Sequence, residues 1–279
     1  MTTFLFGANS MLGWSMLRAN PHVVPFCNGY TKKPPPEIER GVHLDDELAV
    51  SQLFAPGEDQ PSLIIHAAGV CDVGTCEEAP EFAHSVNVEG TRILLDYAPP
   101  DARIIYLSSD HVFSGNTGGP YREDTPPDPI SVYGRTRVTA EQLVLARPNT
   151  LVLRCGLWVG PSANGRIGHL DWLRDRHRRG LPMTIVSDEW RSAVWAEAGA
   201  ARAWAFARSA VTGVRHIVAN HIVSRPELAT YLVEKLQIGA QFGQESRRER
   251  KTPHLGKVAL VTMYDDALAE PLSSVVPRE

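Results

Sequence analysis

Ser109 and Tyr133, with Arg137 four residues beyond the tyrosine, are the residues whose types and spacing most clearly suit catalysis. Ser109 closes an apolar run that begins at Arg103 and leads into Ser108-Ser109-Asp110-His111-Val112-Phe113, where a buried strand is expected to end. Tyr133-Gly-Arg-Thr-Arg137 opens a helical pattern, and the four-residue spacing puts phenol and cation one above the other on a helix face. Such a pair is an acid catalyst. The cation lowers the phenol pKa and a strand-end serine hydroxyl orients a carbonyl oxygen.

A second constellation lies at the start of the chain, Gly7-Ala-Asn-Ser-Met-Leu-Gly13, between an apolar strand at residues 3–6 and a helix expected over residues 11–18. A glycine turn between a first strand and its helix lets a pyrophosphate approach backbone N–H groups at a positive helix end. Ser10 stands where the middle glycine of G-x-x-G-x-x-G would be, so its side chain either narrows that approach or donates its hydroxyl to a phosphate. A second strand is expected over residues 23–27. Beyond it an acid would accept hydrogen bonds from the ribose of NAD, but the chain has Asn28-Gly-Tyr-Thr-Lys32-Lys33. Two lysines and no acid lean toward the 2′-phosphate of NADP, with NAD left open.

These residues need a scaffold, and the alternation of elements supplies one. Short apolar runs at residues 62–67 and 103–108 suit fully buried strands, and residues 81–97 form one long amphipathic helical pattern. A helix over residues 132–146 and a strand over 150–154 follow a Pro-rich stretch at Pro120, Pro126, Pro127 and Pro129. Further on come an Arg-rich helix at residues 170–179, a small-residue helix at 196–209 and a strand at 213–218. A last helix opens at Ser224-Arg-Pro-Glu227, a capping box. Strands and helices taking turns predict a doubly wound α/β fold with a parallel sheet. The expected division is a dinucleotide-binding domain over residues 1–160 and a smaller C-terminal α/β substrate lobe over residues 161–279, with an approximate boundary and some interleaving of the two.

The chain resembles the extended short-chain dehydrogenases/reductases, and most closely their dTDP-4-dehydrorhamnose reductase branch. The resemblance is carried by Phe6-Gly-Ala-Asn-Ser-Met-Leu-Gly-Trp14, His66-Ala-Ala-Gly69, Ser85-Val-Asn87-Val-Glu-Gly-Thr91 and Ser108-Ser-Asp-His-Val-Phe113. It continues through Pro129-Ile-Ser-Val-Tyr-Gly-Arg-Thr-Arg137, Leu153-Arg-Cys-Gly-Leu-Trp-Val-Gly160 and Asp188-Glu-Trp-Arg-Ser192. It implies a Rossmann fold, Tyr133 as proton donor to a substrate ketone, Ser109 as its hydrogen-bond partner, and Asn87 and Arg137 in the active site. It implies cofactor contacts at Gly7, Ser10, Met11, Leu12, Gly13, Asn28, Lys32, His43, Leu44, Ala67, Ala68, Gly69, Ser108, Tyr133 and Arg137. Substrate contacts are implied at Ser109, Asp110, His111, Trp158 and Arg191, with Arg191 holding a diphosphate. Five positions depart from the branch: Ser10 stands for the middle Gly, Arg137 for the usual Lys, His43 for an Asp near the adenine, His111 for a common aromatic, and Ala193 for a Pro.

The activity implied is NADP(H)-dependent reduction of a keto group, at C4 of a nucleotide-linked deoxysugar. The same branch includes the regulatory β-subunit of methionine adenosyltransferase, so a non-catalytic binding subunit is the alternative from another class. Epimerase or dehydratase chemistry ranks below both, because Asp110-His111 lacks the Asp-Glu pair that dehydration uses. The 28 Lys and Arg against 32 Asp and Glu argue against a nucleic-acid partner, and no uncharged apolar run is long enough to span a membrane. Residues 1–150 carry 10 basic against 19 acidic residues and residues 151–279 carry 18 against 13, so the second half favours a small anionic ligand. Cys27, Cys71, Cys76 and Cys155 make no metal signature, and unpaired thiols suit a cytoplasmic chain. A homodimer is the expected assembly.

Overall fold

The computed structural model describes residues 2–31, 33–38 and 40–278. Its first half alternates β1 (Thr3–Phe6), α1 (Met11–Ala19), β2 (Val24–Asn28), β3 (Arg40–Val42), α2 (Glu47–Leu53) and β4 (Leu63–His66). There follow α3 (Val73–Glu78), α4 (Pro80–His84), α5 (Gly90–Tyr97) and β5 (Arg103–Ser109), then β6 (Pro120–Tyr121), α6 (Val132–Leu145) and β7 (Thr150–Cys155). Every strand of the large sheet is parallel to its neighbours, and the order is β11-β7-β5-β4-β1-β2-β3 with β11 at Gly213–Ile217.

Successive side chains leave a strand on opposite faces, and two cores form accordingly. Leu5, Ile65, Ile105, Leu107 and Leu153 face one core, where Leu17 and Trp204 cover them. Phe4, Phe6, Phe26, Ile64 and Ile104 face the other, under Leu94 and Val50. Burial on both faces is why these runs are apolar throughout rather than alternating. The strand order reverses at β1, between β2 on one side and β4 on the other. A crevice therefore opens beyond the carboxyl ends of β1 and β4, the place where doubly wound sheets bind ligands.

The remaining elements are β8 (Leu157–Val159), α7 (Gly168–Arg178), β9 (Thr184–Val186), β10 (Trp190–Trp195), α8 (Ala196–Ala207), β12 (Ile222–Ser224), α9 (Arg225–Lys235), β13 (Gly243–Glu245) and β14 (Lys257–Leu260). Apart from α8, they build a smaller lobe around a sheet ordered β12-β10-β14-β6, with β8 beside β10, and a separate β9/β13 pair. Strand pairing interleaves the two parts of the chain across residue 160. Strand β11 extends the large sheet beyond β7, and α8 lies on α1, where the Trp204 indole donates to the Met16 carbonyl at 3.0 Å. In exchange, β6 from the first half pairs with β14 of the small lobe.

The expected helix over residues 81–97 also differs. Between α4 and α5 the chain winds as a π-helix over Ser85–Glu89, with Asn87 fully buried at its centre. A widened turn of this kind re-aims one side chain, and it is frequent at functional sites. The Ser224 to Glu227 capping box forms as expected. No helix among the described residues is long and apolar enough to cross a membrane.

Candidate active site

The glycine turn lies at the crevice. Gly7 has φ 76°, and a Cβ there would sit 2.5 Å from the Ala68 backbone, while one on Gly13 would sit 2.1 Å from the Gly7 carbonyl oxygen. Both positions therefore demand glycine, for conformation at the first and for close approach at the second. Ser10 caps α1 by accepting the Gly13 N–H at 3.0 Å. That bond uses an oxygen lone pair and leaves the hydroxyl proton to donate, so the replacement of the middle glycine is compatible with an anion at this helix end. Met11 and Leu12 form the first turn behind it.

Beside the turn a narrow slot is lined by Gly7, Cys27, Asn28, Leu44 and Ala68. The Asn28 side chain accepts the Tyr30 N–H at 3.0 Å, and the Asn9 side chain joins this loop through Asn28 N–H and the Thr31 hydroxyl. His43 is packed under this loop, edge-on to Tyr30 with ring centroids 4.3 Å apart, so it supports the loop and does not line the slot. Lys32 lies outside the described residues.

Opposite the turn, β5 delivers Ser108 and Ser109. Ser108 is turned inward and donates to Glu141 at 2.5 Å, and Glu141 in turn pairs with buried Arg154 at 2.8 Å. Its hydroxyl is thus part of the core, contrary to the expectation that Ser108 serves the cofactor. Helix α6 starts at Ser131, whose hydroxyl accepts the Gly134 N–H at 3.0 Å, and Gly134 lets the helix approach the His111 carbonyl. A Cβ on Gly134 would be 2.3 Å from that oxygen. This contact brings Tyr133 to the end of β5.

Tyr133 is buried, and burial raises its phenol pKa; the Arg137 charge and the Ser109 hydroxyl both pull it down. The Arg137 guanidinium carbon stands 5.0 Å from the centre of the Tyr133 ring. Asn87 donates to the Val70 carbonyl at 3.0 Å and to Thr136 at 2.9 Å, and accepts the Val70 N–H at 2.7 Å. It braces the turn after β4 against α6. In that turn, beyond buried Ala67 and Ala68, Gly69 has φ 147°, and the space of its missing side chain is filled by the Arg137 guanidinium and the Asn87 oxygen.

After Ser109 the chain enters a buried ionic network. Arg191 on β10 grips Asp110 with Nε and Nη2, and its Nη1 donates to Glu189 at 2.9 Å and faces His111 Nε2 at 3.4 Å. Burial opposes the Arg191 charge, but Asp110 and Glu189 more than offset this and keep it protonated. Burial and then Arg191 push His111 down to about 3, so its ring is neutral where it meets Tyr133 edge-on at 5.3 Å. His254 donates to the second Glu189 oxygen at 2.9 Å.

All three Arg191 nitrogens are engaged within the protein, which leaves no free fork for a diphosphate and corrects that assignment. Trp158 is likewise a core residue, with Gly199 pressed on its indole. The small lobe instead holds a cavity of about 300 Å³ lined by His169, Trp172, Thr184, Arg225, Arg250 and His254, among others. Arg225 donates to His169 Nε2 at 2.7 Å, and burial, with Arg225 next, holds His169 well below its ordinary pKa. Among the described residues no carboxylate oxygen lies within 4.0 Å of Arg225. Glu189 and Asp110 act on its charge through space, but a buried cation that lines a cavity without a directly paired carboxylate suits an anion.

The profile of the RmlD substrate binding domain matches residues 1–253. The chain belongs to that family. Its relatives include a probable dTDP-4,6-dihydroxy-2-methyloxan-3-one 4-ketoreductase of Streptomyces antibioticus, 33% identical over 55% of this chain and 52% of that protein. They also include methionine adenosyltransferase 2 subunit beta of Xenopus tropicalis, 37% identical over 50% of this chain and 41% of that protein. The chain thus spans about half the length of these curated relatives. Over nearly the whole chain the fold matches a dTDP-4-dehydrorhamnose reductase of Bacillus anthracis solved with NADP, with a TM-score of 0.79 and 20% identity, covering 93% of this chain and 90% of that one.

In this RmlD-family chain the predicted residues Ser109, Tyr133, Arg137, Asn87, Gly69, Asp110 and His111 come together beside the crevice. Sequence reasoning missed Tyr106, Glu189, and the cavity residues His169, Arg225 and His254. Glu189 stood in the motif quoted around Arg191, and the segment Thr252-Pro-His-Leu-Gly256 supplies His254. The surplus of arginine in the second half is partly spent in pairs such as Arg178 and Arg179 with Asp175 and Arg215 with Asp266.

Proposed function

We propose that the protein is an NADP(H)-dependent reductase of a keto group, at C4 of a nucleotide-linked deoxysugar, with Tyr133 as proton donor. The observation that carries this reading is Tyr133 itself. It is a buried phenol at the end of β5, acted on by the Ser109 hydroxyl and a cation against its ring, next to the crevice of a doubly wound sheet. The dinucleotide fits the residues present. Gly7 and Gly13 leave no side chain in the turn, Ser10 keeps a proton to donate, and the buried Arg137 Nε has no partner in the protein, as expected of a group that meets a ribose.

Bound in the crevice, NADPH supplies the hydride. The chain does the rest: Ser109 orients the ketone oxygen, Tyr133 Oη protonates it, and the Arg137 charge steadies the phenolate that remains. Asn28 in place of an acid at the end of β2, with exposed Lys33 and Arg40 nearby, favours the 2′-phosphate of NADP over the bare ribose of NAD. The diphosphate of the substrate goes to the cavity containing Arg225, Arg250 and His169. Kinship to the ketoreductase and to the dTDP-4-dehydrorhamnose reductase supports the substrate class.

Tyr133→Phe should nearly abolish ketone-dependent NADPH oxidation while leaving NADPH affinity within about twofold. Equal turnover by the variant overturns the reading. The kinship to methionine adenosyltransferase 2 subunit beta supports a second reading, a binding subunit, under which no 4-keto sugar nucleotide is reduced by the parent protein.

A further inference from the structure

Arginine at position 137 poses a packing problem. Its guanidinium is planar, carries five N–H donors and is nearly wholly buried, so each donor needs an acceptor or pays for desolvation. A carboxylate would satisfy it, but would also neutralise the charge that Tyr133 needs. Among the described residues none lies within 4.0 Å; the nearest partners are the Tyr106 hydroxyl, reached by Nη1 at 2.8 Å, and the Ala68 carbonyl at 3.5 Å.

Tyr106 belongs to β5, three residues before Ser109, and is fully buried. Its ring lies 5.1 Å from that of His66 on β4, and His66 Nε2 is bonded to Thr91 at 2.9 Å. The Arg137 guanidinium carbon stands 5.7 Å from the centre of the Tyr106 ring and 5.0 Å from that of Tyr133, so two aromatic rings flank the cation. Nε has no partner, and Nη2 lies over Gly69.

We infer that Tyr106 is a positioning residue: its neutral phenol oxygen takes one edge of the Arg137 guanidinium, holds the cation against Tyr133 and leaves Nε and Nη2 for the cofactor ribose. A lysine at 137 would not need this acceptor. An arginine does, because its forked end is fixed in a plane and must be anchored to point consistently. A tyrosine anchors without cancelling the charge. The titratable neighbours leave the charge unopposed. Burial raises the Tyr106 phenol and lowers His66 to about 3, so both are neutral. Burial likewise raises Cys76, pushed up to about 11, and Glu141 is committed to Arg154.

The inference rests on the reductase reading for its kinetic readout, and on NADPH binding for a second. The test is a cycle of Tyr106→Phe, Arg137→Lys and the double variant, each checked by thermal melting. Tyr106→Phe alone should weaken NADPH binding about fivefold and lower kcat/KM about tenfold, and in the Arg137→Lys background it should change each less than twofold. Ketone reduction requires protonated Tyr133, so activity falls as pH rises through its pKa. With the cation loosened that alkaline limb should move up by about one pH unit. Additive effects and an unmoved limb overturn the inference, since a purely structural tyrosine would lower melting temperature without coupling to position 137. NADPH binding that follows the cycle without ketone turnover would uphold the positioning role and sink the substrate reading. No NADPH binding by the parent would overturn both.

Discussion

Replacing Arg191 by Met tests the ionic network that joins the two lobes beside Ser109. The Arg191 and Asp110 side chains are 4% and 0% exposed, and Glu189 is 4% exposed. Methionine preserves much of the volume and removes the charge, so Asp110 loses both of its guanidinium contacts and Glu189 keeps only His254 as a bonded partner. Removing one partner of a buried pair destabilises by about 3–5 kcal/mol, mostly through the charge left behind. Against a total of about 5–15 kcal/mol that is a large share, and it corresponds to a fall in melting temperature on the order of 10 °C.

The pH dependence identifies the cause. Burial already pushes the Asp110 carboxyl up, and Arg191 is what counters it. Its folded pKa already lies above its unfolded value in the parent, and in the variant it rises further. Protonation then stabilises the folded state below the unfolded pKa, and this stability is lost as pH rises through the folded pKa. The deficit of Arg191→Met against the parent should therefore be greatest at neutral pH and shrink toward pH 4. Urea unfolding at several pH values measures it, and Arg191→Met with Asp110→Asn should recover part of the loss at pH 7. A deficit under about 1 kcal/mol, or one indifferent to pH, would refute the argument that uncompensated carboxylates dominate.

Ser10→Ala removes the cap of α1 and should lower stability by about 1 kcal/mol, and NADPH titration should show weaker binding as well; unchanged affinity would remove the hydroxyl from the phosphate site. Arg225→Gln empties the small-lobe cavity of its carboxylate-free cation, and steady-state kinetics should show KM for the nucleotide sugar raised about tenfold with kcat changed far less. A kcat effect without a KM effect would place the diphosphate elsewhere. Tyr133→Phe should behave in the opposite sense, with kcat lost and NADPH affinity kept, as measured by fluorescence titration.

Local geometry made much of this protein visible in its sequence. A strand, a glycine turn and a capped helix are contiguous, so residues 3–19 announce a tight glycine turn at a helix N-terminus. Tyr133 and Arg137 share a helix face because α-helical spacing requires it. The Ser224 to Glu227 box needs only three residues of helix. Helical periodicity also predicted residues 81–97, yet it could not reveal the widened turn at Asn87, which is fixed by bonds to Val70 and Thr136 on other elements.

What only the tertiary structure decided is the role of each charge. Arg191 and Asp110 are 81 residues apart in sequence and meet where both are desolvated, so an arginine that suggested a ligand fork is a strut between lobes. Arg225, unremarked in sequence, faces a cavity without a carboxylate. Arg137 gains its acceptor from Tyr106, 31 residues earlier on another element. Composition states how many cations a chain carries, and spacing states which face of a helix bears them. Whether a cation is neutralised, anchored or left available depends on the partner buried with it, and that is settled only when distant segments pack together.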